Sequence, residues 1–421
     1  MAAIPAPRQR LPVALSLSAL VSAFGGVLRR WRYTGGKRDL RFDLLRGLAV
    51  VAMVVDHVGG DQSWLYTITG GNRFLVSAAE AFVFISGLVM GIVYSSVVTR
   101  QGVAAALSKA LKRSWTLYML TVGLTLVTAM LAYQLKLFWA PQVTTGTLPN
   151  FIVGVLTLHR TFYLTDVLLM YTFLVAGAAL ALLLIAQGYT WQALAASWLI
   201  WGIWQRWPQE IALPWTIADN NVFELAAWQL LFINGLAIGY HRRALARYFG
   251  WLTGWVSLVV FGALFAGAIA LYRDKLATLS WLTGFDTNFL NAHLFSKDDA
   301  RIGRLVVFVI LAVFALALTT NFWGPLHRVF GWLLLPLGQN ALWAYSLHLF
   351  VIMATTKLGP VVFGNGAFTS GQNALLQAAG VLAIWLFITL RAPVAARVRQ
   401  LAPRPAPVAV VAARRVEVEG Q

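Results

Sequence analysis

The stretch Arg41-Phe42-Asp43-Leu44-Leu45-Arg46-Gly47-Leu48-Ala49-Val50-Val51-Ala52-Met53-Val54-Val55-Asp56-His57 decides how the chain is read. It is mostly apolar over the length of a membrane-crossing helix, yet it carries two arginines, two aspartates and a histidine. Ionisable groups are costly in hydrocarbon and persist where they face a protein interior or a polar cavity. The stretch therefore belongs to a bundle and is a place to look for function. Working outward, apolar runs of helical length recur along almost the whole chain. Ten spans are predicted, at about 40–58, 75–97, 113–135, 164–186, 190–206, 223–240, 251–272, 303–321, 333–356 and 374–391. Composition agrees: 59% of residues are hydrophobic and 11% charged, against about a quarter charged in an ordinary soluble domain. The expected fold is an all-α integral membrane protein, about ten transmembrane helices in one bundle.

The net charge of +18 is informative through its placement. With the N-terminus inside and Arg46 set aside, 22 Lys and Arg fall on the cytoplasmic side and 10 outside, as the positive-inside rule requires. Clusters at Arg100 to Arg113, Arg242 to Arg247 and Arg391 to Arg399 lie inside. Asp61, Glu210, Asp219, Asp274, Asp286, Asp298 and Asp299 lie outside. An even number of spans leaves both termini cytoplasmic, in a multi-pass protein of the cytoplasmic (inner) membrane. Residues 1–36 read as a basic cytoplasmic or interfacial segment attracted to anionic membrane lipids, with an interfacial helix over 11–28. Residues 37–395 form the membrane domain and 396–421 a disordered cytoplasmic tail. Nucleic acid is not an expected partner, because no recognition module accompanies the charge. The absence of cysteine excludes disulfides, thiol nucleophiles and thiolate metal sites. Two long external loops, about 136–163 and 273–302, are of a size that carries short elements of its own or covers a pocket.

Chemistry is concentrated in the first span. Arg46 and His57 are eleven residues apart, which places them on nearly one helix face about 16 Å apart along the axis. One cleft could hold a long ligand, anionic at the inner end and reactive at the outer end, as an acyl-coenzyme A is. Arg46 would hold charge, with Arg41 and Asp43 beside it in the donor site, and His57 would do acid-base work. Against this, His57 reads as a polar residue at a helix end, since Gly59 and Gly60 follow. Asp56 can orient the imidazole only if the helix unwinds at those glycines. Glu80 is the competing orienter, or else a structural partner of Arg46 or Arg73. Asp166 is either a substrate ligand or the N-cap of the fourth span. Trp228 and Gln229, with Asn234, are either substrate contacts or interhelical glue. His348, with Gln339, Asn340 and Tyr345, is a second-site candidate for which packing is the plainer reading. No metal is predicted.

Three stretches together resemble a known family, the osmoregulated periplasmic glucan succinyltransferases (OpgC), within the membrane acyltransferases. They are Arg38 through Gly47 to Asp56-His57, then Ala79-Glu80-Ala81-Phe82-Val83-Phe84-Ile85-Ser86-Gly87, and Ala226-Ala227-Trp228-Gln229-Leu230-Leu231-Phe232 with Gly235. The spacing of Arg46 and His57 also looks like the motif of acyltransferase family three, where the His is regarded as catalytic. Ser77 departs from the family's usual acidic residue, and Leu169 from its usual Pro. The resemblance implies transfer of an acyl group, succinyl first, from cytoplasmic acyl-coenzyme A to a hydroxyl of a periplasmic or extracellular glycan. From another functional class, a transporter or flippase of a polar lipid or sugar would use Asp56, His57 and Glu80 as a proton relay.

Overall fold

The computed structural model describes residues 30–401 apart from 37, 60, 61, 72, 73, 209, 211 and 221, with side chains as far as Arg391. The interfacial helix expected over 11–28, the rest of the N-terminal segment before residue 30, Asp61 and Arg73 lie outside the described residues. Eleven helices of sixteen residues or more are present among them. These are α1 (Leu40–His57), α2 (Ala78–Gln101), α3 (Val103–Gln134), α4 (Asp166–Ala186), α5 (Thr190–Arg206), α6 (Leu225–Tyr240), α7 (Trp255–Arg273), α8 (Ile302–Asn321), α9 (Trp323–Gln339), α10 (Ala341–Phe363) and α11 (Ser370–Leu401). No strand occurs among the described residues beyond one isolated bridge, Arg160 to Ala218. Seven helices are long and apolar enough to cross a membrane: α2, α3, α4 with the turn before it, α7, α8, α10 and α11 as far as Arg391. The chain is a multi-pass membrane protein. Of the other predicted spans, α1 carries too many charges for that criterion, and α5 and α6 are 17 and 16 residues long.

The helices end where local chemistry ends them. Ser77, in extended backbone, and Glu80 cap the start of α2, and Gly102 at φ +83° ends it, so that α3 begins at once. Helices α2 and α6 pack in close contact, and glycine makes it possible. A methyl group on Gly87 or Gly91 would lie 2.1 Å from the carbonyl oxygens of Phe232 and Leu236 respectively. One on Gly235 or Gly239 would lie 2.4 and 2.0 Å from those of Phe84 and Leu88. Small residues four apart on both helices thus let two backbones touch, the usual route to helix association in lipid. By contrast, only Ser257 and Ala268 of α7 are buried, which leaves that helix at the edge.

The span expected over 333–356 is divided. Pro336 lies inside α9, Gly338 meets the carbonyl of Asp43, and the chain breaks at Asn340 before α10 starts. Proline removes a helix donor there and glycine permits the close approach. The start of α9 meets the segment before α1, and its end meets the N-terminal part of α1. Trp323 packs edge-on to Tyr33 at 4.9 Å, and Gly338 lies against Asp43. Helix α9 packs on α1 through Leu334 against Gly47 and Gly338 against Asp43, and α10 covers most of the span predicted over 333–356. Helix α11 continues to Leu401, so the first residues of the tail expected from 396 are helical, and the remainder from 402 lies outside the described residues. The long loops carry short helices, Leu148–Leu156 in one and Ala277–Thr283 and Thr287–Leu290 in the other.

Candidate active site

Helix α1 stops at His57 because Val58 turns to extended backbone and Gly59 adopts φ +80°. Its end is tied to α11, where buried Gln377 donates to the Val55 carbonyl at 3.1 Å and accepts from Ser63 Oγ at 2.6 Å. His57 is half-buried, and its ring faces that of His348 on α10 at 5.6 Å between centroids. His348 is wholly buried and packs against Tyr345, whose hydroxyl donates to the Leu164 carbonyl just before α4. His57 Nδ1, His348 Nε2 and Asp56 Oδ1 are buried polar atoms with no hydrogen-bond partner among the described residues.

Two cavities meet Tyr345 and Leu164 respectively, and His57, His348 and Asp56 are not among the residues that line them. One, of about 290 Å³, is lined by Arg46, Lys109, Arg113, Tyr171 and Tyr345, with Val167 and Leu168 of α4. Arg46 makes one long contact, to the Ile85 carbonyl at 3.4 Å, and its Nε has no partner. A neighbouring groove, sharing Val89 and Val93 with the first, is lined by Arg38, Arg100, Arg242 and Arg243. Together they make one end of the bundle strongly basic. The other cavity, of about 510 Å³, has Trp139, Tyr163, Gln142, Arg160, Asp166 and Asp219 in its wall. Trp139 stacks on Tyr163 at 4.1 Å with planes 8° apart. The start of α4 separates the two: Leu164 and Asp166 face one, Val167 and Leu168 the other. Buried threonines hold that start in place, with Thr125 of α3 donating to Thr165 at 2.9 Å.

Glu80 does not orient His57. One oxygen is bound by Arg304 of α8, and the other accepts from the backbone nitrogen and hydroxyl of Ser77 at 2.9 and 2.6 Å. It is a structural partner, of Arg304 and not of Arg46. Arg41 and Arg46 also part company, since residues five apart on a helix point in different directions. Arg41 is held by Asp39 at 2.9 and 2.7 Å, donates to Thr320 at 2.7 Å and lies over the Tyr33 ring. Asp43, almost fully buried, is paired with Arg38 at 2.6 Å. Neither lines the Arg46 cavity. Asp166 opens α4 itself, so Thr165 is the cap residue; its Oδ1 accepts from Val167 N at 2.7 Å. Gln229 joins α6 to α5 by accepting from Ser197 Oγ at 2.6 Å and donating to the Ser197 carbonyl at 2.8 Å.

Trp228 is completely buried and acts on a loop. Its indole donates to the carbonyls of Val222 and Asp298, while Gln205 and Trp201 of α5 donate to those of Asp299 and Ala300. Three successive carbonyls are thus clamped, which fixes the neighbouring Lys297. The Lys297 ammonium lies 5.8 Å from the Phe223 ring centroid. Burial pulls it below its ordinary value, and the nearby carboxylates of Glu80, Asp56 and Asp166 oppose that fall. Lys297, Arg304, Lys109 and Arg113 were not singled out from sequence. Ser296-Lys297-Asp298-Asp299 reads as a solvated loop, and only the indole and amide donors two helices away bring it inward. Lys109 and Arg113 do carry a signal, being four apart on one face of α3.

A family profile described as OpgC protein matches residues 38–397. The chain belongs to the OpgC protein family. Membership implies a glucan-modifying acyltransferase, so the chain is a membrane transferase of that class, and the transporter alternative gains no support. No curated protein and no solved structure matches it.

Proposed function

We propose that this OpgC-family protein moves an acyl group, succinyl first, from acyl-coenzyme A at the basic end of the bundle to a hydroxyl of an envelope glycan at the histidine end. The basic end faces the cytoplasm by the positive-inside rule, and the protein lies in the cytoplasmic membrane with both termini inside. The reading rests on one observation. His348, which faces His57, packs against Tyr345, and Tyr345 lines the cationic cleft while its hydroxyl donates to Leu164 in the wall of the aromatic pocket. Arg46, Lys109 and Arg113 suit the phosphates of a coenzyme, and a long pantetheine arm suits the apolar passage toward Tyr345. The pocket beside Trp139 and Tyr163 suits a sugar, which presents an apolar face to an aromatic ring and hydroxyls to Asp166, Gln142 and Arg160.

In the reaction, His57 accepts the acceptor hydroxyl proton while that oxygen attacks the thioester carbonyl carbon. The carbon–sulfur bond breaks, the new oxygen ester forms, and the coenzyme thiol leaves with the proton that His57 returns. Lys297, near Asp56 and Asp166, offers a positive charge for the oxyanion that develops on the carbonyl. The test is binding. Succinyl-coenzyme A at about 100 times its Kd should stabilise the purified protein by about 2.7 kcal/mol, read as a raised Tm. That rise should be lost when Lys109 and Arg113 are both replaced by Ala. No rise in the unmodified protein would remove the donor from the proposal.

A further inference from the structure

His57, if it is to accept a proton on one ring nitrogen, must carry its own hydrogen on the other, and a neighbour must hold that tautomer. Neither carboxylate considered for the task does so. Glu80 is fully engaged by Arg304 and Ser77. Asp56 precedes His57 in the same helix, where adjacent side chains point apart.

His348 has the required chemistry. It is 0% exposed, and its Nδ1 lies against the main-chain carbonyl oxygen of Tyr345. A carbonyl only accepts, so Nδ1 carries the hydrogen and Nε2 is left as a bare lone pair. That Nε2 has no partner among the described residues, and neither has His57 Nδ1, although both are buried. Their ring centroids are 5.6 Å apart with planes 36° from parallel, so the two rings are direct neighbours. His348 Nε2 needs a donor, and His57 Nδ1 is a donor when it carries the ring hydrogen. Packing alone explains the bond from His348 to Tyr345, but it does not explain two unsatisfied nitrogens on facing rings.

The geometry points to His348 as the positioning residue of His57, holding it in the tautomer with hydrogen on Nδ1 and presenting the Nε2 lone pair to the acceptor hydroxyl. This rests on the reading of His57 as general base. A neutral imidazole performs the orienting without burying a carboxylate beside hydrocarbon, which would carry a desolvation cost. It also fits the engagement of Glu80 by Arg304 and Ser77 instead of by a histidine.

Nitrogen-15 NMR of the full-length protein labelled at histidine tests this directly, the His57 signals being assigned by their loss in H57Q. In the unmodified protein His57 should carry its hydrogen on Nδ1. His348→Leu should give a mixture of tautomers and lower kcat between about 10- and 100-fold, with the KM for succinyl-coenzyme A unchanged. His348→Gln, whose amide oxygen can stand where Nε2 stood, should restore most of both. A hydrogen on His57 Nε2 in the unmodified protein overturns the proposal without any variant. So does H348L that keeps both the Nδ1 tautomer and near-normal kcat. Should H57Q itself prove active, the base reading fails, while the tautomer measurement still decides the pairing.

Discussion

Arg46 and Glu80 were both drawn to the same chemistry by their position inside apolar spans, and the structure gives them different surroundings. Arg46 Nε is unsatisfied at the wall of the cationic cleft. Arg46→Ala should therefore weaken succinyl-coenzyme A binding about tenfold or more while Tm changes little, as isothermal titration would show. Glu80 and Arg304 are both almost fully buried, and removing one partner of such a pair leaves the other charge uncompensated, at a cost of about 3–5 kcal/mol. Glu80→Gln should lower Tm and the folded yield, with turnover of the folded fraction largely kept. An unchanged Tm with lost turnover would return Glu80 to the role of orienter. Ser77 makes sense in the same frame. The acidic residue usual for the family would set a second carboxylate against Glu80, whereas the serine hydroxyl donates to it. Leu169, in place of proline, is buried in the cluster where α4 meets Phe162 and Val122.

At the scale of elements, the sequence showed the helices better than their partners. Nine of the ten predicted spans coincide with helices because long apolar runs are an unambiguous signal, and α9 was missed as a separate helix because it is amphipathic and contains proline. The glycines in the stretches resembling the family, Gly87, Gly235 and Gly47, were legible only as small residues. Their purpose lies in a second helix: Gly47 approaches the Leu334 backbone as closely as Gly87 approaches Phe232. Gly87→Leu or Gly239→Leu should force α2 and α6 apart, at 1–3 kcal/mol or more by the usual cost of overpacking (about that range), seen as a lower Tm. Gly123, with nothing within 4 Å of its added Cβ, should accept Ala freely and serves as the control. Lys297 shows the limit of sequence reading, since a loop lysine is held in the bundle only through donors that α5 and α6 contribute to its neighbours. Lys297→Met should lower kcat by about 10²-fold, the usual loss for one oxyanion donor, without changing donor affinity.

The whole molecule is a basic end and a histidine end joined by α1, with cavities meeting across the start of α4. Reporter fusions after residues 110 and 245 should report cytoplasm and those after 150 and 290 the outside, because the Lys and Arg excess sets orientation. Fusions at 110 and 290 reporting the same side would break the expected orientation. The most direct test of the account is acyl transfer by purified His57→Gln, measured with succinyl-coenzyme A and an envelope glucan alongside Tm and donor affinity. General-base catalysis contributes typically 10²–10⁴-fold, so the account predicts a loss on the order of that much in turnover, with folding and donor binding retained. Near-normal turnover by a well-folded His57→Gln protein would contradict it.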